Sequence, residues 1–210
     1  MSTNPWIQRQ DEERDPSDDG QLDGRVLAPP APTGPVAPHA GVPAPRAADC
    51  LLRRELDEHE QAIALWWLGV HGGAGESTLE QLLEGSRAAS HAWPITAVDE
   101  PSARVVLVAR THDRGLRAVQ LAATEWASGS VPVQLEGLVL LADAPGRLPK
   151  PLKELAELVA GGVPNVWRVP WVESWRRGEP VSAASAPSDV ARLLDHLRAL
   201  SPIVASNHPS

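Results

Sequence analysis

Residues 66–83 read WWLGVHGGAGESTLEQLL, and the fold follows from how this stretch is divided. Its first part closes a continuous apolar run, Ala62 to Val70, of the length expected for a strand buried on both faces. A glycine-rich turn follows, then Ser77 to Gly85, with helical spacing and a glycine to stop it. Strand, glycine turn and helix in that order form an anion cradle. Backbone N–H groups are unpaired at a helix start, and only glycine lets the chain wrap a phosphate closely.

Working outward, the same alternation recurs. Ala103 to Ala109 is a second apolar strand, Asp113 to Ser128 a helix stopped by Gly129, and Leu135 to Leu141 a third strand. Pro151 to Ala160 reads as a helix, Val166 to Val169 as a fourth strand, and Ser188 to Leu200 as an amphipathic helix with Val190, Leu193, Leu194 and Leu197 on its apolar face. Asp49 to His59 reads as a short charged helix capped by Asp49. Apolar strands alternating with helices require a parallel sheet covered on both faces, so the expected fold is a three-layer α/β domain. Its expected bounds are 49–203. Residues 1–48, acidic over Asp11 to Asp23 and Pro/Ala-rich over Pro29 to Pro45, read as a disordered arm, and 204–210 as a flexible C-terminus.

Composition excludes several functions. Across 210 residues the formal net charge is -8, which disfavours direct nucleic-acid binding, since that needs clustered Lys and Arg. Phe and Tyr are absent, Trp occurs 8 times, and Lys150 and Lys153 are the only lysines, a bias that GC-rich codons produce. One cysteine, Cys50, forms no intramolecular disulfide and no Cys-rich metal site, and the histidines lack metal-ligand spacing, so no metal is expected. The longest apolar run is too short to span a bilayer and Met1 to Gln10 lacks the features of a signal peptide, so a cytoplasmic location is expected.

The stretch His71-Gly72-Gly73-Ala74-Gly75-Glu76-Ser77-Thr78 resembles the deviant Walker A loop of the ParA/MinD-like P-loop ATPases, K-G-G-x-G-K followed by two hydroxyl residues. Every glycine and both hydroxyls match. His71 stands at the position of the family's signature lysine and Glu76 at that of its phosphate-binding lysine. The resemblance implies a P-loop NTPase-like fold and makes Gly72, Gly73, Gly75, Glu76, Ser77 and Thr78 the candidate phosphate loop. Glu76 reverses its chemistry: at about 4 Å and an effective dielectric near 20, one charge pair is worth roughly 4 kcal/mol, here repulsive toward phosphate. A carboxylate at a helix start is also favourable to the free N–H groups, so the loop is expected to fill its own anion site.

Weaker similarity extends over Ala62 to Leu200. The span from Ser86 to Ser102 is too short for a strand-helix-strand passage with a Walker B motif. Asp143, after the apolar Leu138 to Leu141, is open to three readings: a displaced Mg²⁺-holding acid, part of a base-recognition loop, or a Pro/Gly turn. Ser77 has no recognisable base, so no catalytic residue is assigned. The resulting expectation is a degenerate, non-enzymatic adaptor without cofactor. The resemblance implies a bacterial multiprotein system such as partition, conjugative transfer or secretion-apparatus positioning. The alternative is an atypical ATPase that binds Mg-ATP with Arg110 or a partner's residue replacing the lysine. Arg110 or Arg114 is expected to pair with Glu76. For protein partners, a second copy of the chain included, the candidates are Trp6 in Asn4-Pro5-Trp6-Ile7, either a docking anchor or a chance tryptophan, and Trp171 and Trp175 beside Arg176 and Arg177, either a core edge or an interaction surface.

Overall fold

Strand β2, Leu65–Gly69, is buried along its whole length, and its alternating side chains divide the core in two. A computed structural model describes residues 31–200. In chain order the elements are β1 (Leu52–Glu55), β2, α1 (Glu76–Glu80), β3 (Ser86–Ala88), β4 (Ala92–Ile95), β5 (Arg104–Arg110), α2 (Asp113–Ala127), β6 (Gln134–Leu141), α3 (Lys150–Ala160), β7 (Val166–Val169), α4 (Glu173–Arg176) and α5 (Ser188–Leu200).

Five parallel strands form the main sheet in the order β3-β2-β5-β6-β7. Trp66 and Leu68 of β2 pack with Leu116, Val119 and Trp126 of α2 and with Ala156 and Val159 of α3. Leu65 and Trp67 face the other way, onto Leu79 of α1 and Val190, Leu193, Leu194 and Leu197 of α5. Helices therefore cover both faces, and the protein is a three-layer α/β domain with a mostly parallel sheet, as its apolar runs require. Counted within this sheet alone, the spatial order is 2-1-3-4-5, so the chain reverses direction across the sheet between β2 and β5. Ligands of open α/β sheets bind beyond the carboxyl ends of the strands at such a reversal.

Two expectations are corrected. Asp49 to His59 is not a helix: β1 pairs in parallel with β4, Leu52 opposite Ala92 through Glu55 opposite Ile95. Leu51, Leu52 and Leu56 fit helical spacing, but cross-strand pairing overrides that local preference, leaving Leu52 79% exposed while Leu56 is buried. The arm expected over 1–48 also ends early within the described residues. The Thr33 and Gly34 amides both donate to the Pro164 carbonyl, at 2.9 and 3.2 Å, and the His39 amide donates to that of Ala127 at 2.9 Å. A Cβ on Gly34 would meet the Val163 carbonyl oxygen at 2.1 Å, so this close approach requires glycine.

The short passage after α1 contains β3 and β4 with no helix between them. The chain turns through Ser90 and His91, both left-handed (φ 56° and 60°). Among the described residues no helix is long and apolar enough to cross a membrane.

Candidate functional site

Gly69 ends β2 at the carboxyl edge of the sheet, and the glycine-rich turn bends from it into α1. Gly73 (φ 73°) and Gly75 (φ 106°) adopt left-handed backbone, and a Cβ on Gly75 would also press on Leu141 Cδ2 at 3.1 Å. Glu76 is the first residue of α1, and its side chain turns back beneath the loop instead of outward. Its Oε2 accepts a hydrogen bond from the Gly69 amide at 2.7 Å, and only 8% of the residue is exposed. The other oxygen lies 3.6 Å from His91 Nδ1, which itself sits 2.7 Å from the Gly69 carbonyl oxygen and donates to it. Both polar groups of the Gly69 peptide are thus held by side chains that any Cβ at this position would strike at 3.0 Å.

His71 occupies the crevice between β2 and β5. The Arg110 amide donates to its Nε2 at 3.0 Å, which leaves Nδ1–H to donate to the Gly72 carbonyl at 2.9 Å. Both ring nitrogens are satisfied only in this neutral tautomer. Burial holds the imidazole pKa below its ordinary value. The bond to Gly72 opposes that shift, and the electrostatic influence of the neighbouring His112, His91 and Arg110 reinforces it. The His112 ring lies 4.8 Å from that of His71, and His112 caps α2 by accepting from the Gly115 amide at 2.9 Å. A side chain on Gly115 would meet both rings and the Arg110 carbonyl.

The expected pairing of Glu76 with arginine does not occur. Arg110 crosses the edge instead, its Nε donating to the Gly73 carbonyl at 3.4 Å and its Nη1 to that of Ala142 at 3.2 Å. Arg114 is exposed on α2, and among the described residues no arginine lies within ion-pair distance of Glu76. The carboxylate has already turned inward, so the guanidinium finds backbone carbonyls.

Gly72, Gly73 and Ser77 lie open to solvent, while Gly75 and Thr78 are half-buried. Trp171 and Trp175 are also half-buried and flank a small cleft with Arg110 and Leu141, so the fold brings them to the loop's edge. The Trp171 indole donates to Glu173 at 2.7 Å, and Trp175 packs against the core on the α5 side. Trp6 lies outside the described residues. Asp143 is exposed at the end of β6, two strands from the loop, with its amide donating to Thr111 Oγ1 at 3.1 Å. No group of three or more His, Cys, Asp or Glu suited to a metal occurs among the described residues.

The glycine positions and Glu76 were legible from sequence, whereas the role of His91 was not. It is 15 positions beyond Glu76 on a turn with no motif of its own, and only the return of the chain through β3 brings it back to Gly69.

Fold and loop together define a doubly wound α/β protein whose glycine-rich strand-to-helix loop is closed by its own carboxylate. Residues 63–192 match the model of a family described as a family of unknown function, DUF6668, and the chain belongs to that family. The matched span runs from just before β2 into α5 and contains every site residue described here. No curated protein and no solved structure matches the chain.

Proposed function

We propose that the protein is a pseudo-NTPase: a P-loop-like domain, free of nucleotide hydrolysis, that serves as a cytoplasmic adaptor within a larger protein assembly, of the positioning or transfer kind that the ParA/MinD resemblance implies. The observation that carries this reading is the bond from the Gly69 amide to the buried Glu76 carboxylate. A carboxylate is buried beneath the loop, at the position where the resembling family carries its phosphate-binding lysine, and a bound nucleotide would lie over that charge with no lysine to offset it. His71 supports the same reading, because a neutral ring with both nitrogens engaged supplies no cation. The adaptor role draws on the half-exposed Trp171 and Trp175 at the same edge, residue types that anchor many interfaces, and on the Trp6 motif.

The test is calorimetric titration of the full chain with Mg-ATP and with Mg-GTP at near-millimolar concentration. No heat of binding is expected from either. Saturable binding that Gly75→Val or Ser77→Ala abolishes would overturn the reading in favour of an atypical ATPase. That second reading has one observation of its own, the Arg110 guanidinium already bonded to the loop at Gly73. For the adaptor role, deletion of residues 1–7 is expected to release a co-purifying partner, and unchanged association removes Trp6 from the interface.

A further inference from the structure

Beside the closed loop, the carboxyl edge of the sheet holds a second concavity that none of Gly72 to Thr78 lines. It encloses about 490 Å³ beyond the ends of β5, β6 and β7, a volume within the ordinary range for small-molecule sites. The floor is apolar: Leu140 and Val169 are almost fully buried, and Leu148 and Leu152 extend it along the start of α3. The rim is charged. Arg147, on the loop after β6, and Arg168, on β7, both line the cavity, and neither side chain makes a hydrogen bond or ion pair among the described residues. The Asp143 carboxylate on the same rim is likewise unpaired, whereas the lining Asp189 is engaged by Arg192.

Two free guanidinium groups over an apolar floor select an anionic head on an apolar body. Arg is the side chain best shaped to grip a carboxylate, with paired donors in a rigid fork. The free Asp143 offsets one of the two positive charges, so the rim carries a net single positive charge and suits a monoanion over a dianion. We infer that this cavity is a binding site for a small organic carboxylate with an apolar body, held at its carboxylate by Arg147 and Arg168 and by its body against Leu140, Leu148 and Val169. The site stands apart from the phosphate loop and does not depend on whether the loop binds nucleotide. Arg110 connects the two, since it bonds both Gly73 of the loop and Ala142 of the cavity wall.

Titration of the full chain with 1-naphthoate, 1-naphthamide and 1-naphthyl phosphate tests the assignment. The expected result is saturable one-to-one binding of naphthoate, with the amide at least about tenfold weaker. The double variant Arg147→Ala, Arg168→Ala is expected to weaken naphthoate about tenfold or more while leaving the melting temperature unchanged, because both side chains are exposed and unpaired. Equal affinity for acid and amide, no saturation at millimolar naphthoate, or an unaffected double variant would each overturn the site. Tighter binding of naphthyl phosphate than of naphthoate would overturn its preference for a single charge. Neither the Mg-ATP result nor Glu76→Lys is expected to alter naphthoate binding, so failure of the pseudo-NTPase reading and failure of this one are separable.

Discussion

Among the described residues three glutamates are buried, Glu76, Glu125 and Glu136, and the first two solve the same electrostatic problem at opposite ends of the domain. Glu76 lies at the carboxyl edge of the sheet, taking the Gly69 amide, with His91 as its neighbour. Glu125 lies near the end of α2 with 0% of its surface exposed. It accepts from the Trp93 indole at 2.9 Å and the Leu51 amide at 3.2 Å, and the half-exposed Arg53 approaches it at 3.5 Å. Each carboxylate therefore replaces lost water with a backbone amide and a ring or cation. They differ in what they join. Glu76 reaches back seven residues and closes a local loop, while Glu125 ties β1 and β4 to a helix more than thirty residues away in sequence. A buried carboxylate that closes a loop alters what the loop can bind. One that bridges elements holds the fold together.

That contrast predicts a ranking of effects. Glu125→Ala is expected to be the most damaging, costing about 3 kcal/mol in urea unfolding, because the buried Trp93 indole, the partly buried Leu51 amide and an arginine lose one acceptor together. A loss below about 1 kcal/mol would break the comparison and show that water reaches this cluster. Glu76→Gln is expected to cost about 1 kcal/mol or less in the same assay, since the amide oxygen still accepts from Gly69 and only the charge facing His91 is lost. Glu76→Ala should cost more than Glu76→Gln, and equal costs would show that the bond to Gly69 contributes nothing.

The smallest effect concerns pH. Burial holds the His71 pKa below its ordinary value of 6.5, so the unfolded chain takes up this proton at higher pH than the folded one. The contribution of neutral His71 is complete above that value and is lost as pH falls through the lower folded pKa. His196, held low by burial through its contact with Trp167, acts in the same direction. Unfolding curves between pH 7.5 and 5 should therefore show stability declining on acidification, and His71→Gln should reduce the slope. An unchanged slope would mean that the ring is not held neutral at the crevice.

Most of the fold was legible because burial on both faces leaves a mark that needs no partner. The ranges of β2, β5, β6, β7, α2, α3 and α5 follow apolar runs and helical spacing to within a few residues. β1, β3 and β4 are three or four residues long, and β1 carries the charged Arg53, Arg54 and Glu55, so pairing alone makes it a strand. In the site, the glycines and the inverted charge at Glu76 were readable, whereas the partner of the carboxylate was not: it takes the amide of Gly69 at the end of β2 and not an amide of the loop itself. The direction in which Arg110 turns was not, because a guanidinium chooses among acceptors that only the assembled sheet edge presents.

The sequence by itself determined that this is a layered α/β domain with a glycine-rich turn unable to present a lysine to phosphate, since strand burial, helix stops and residue charge are local properties. Only the tertiary structure decided that Glu76 binds Gly69 next to His91, that His71 is neutral, that Glu125 fastens the β1–β4 pair, and that Arg147 and Arg168 overlook one apolar cavity. Each of these depends on groups distant along the chain or on the direction a side chain takes. Such meetings are set by the packing of the sheet and its helices, which no single segment encodes.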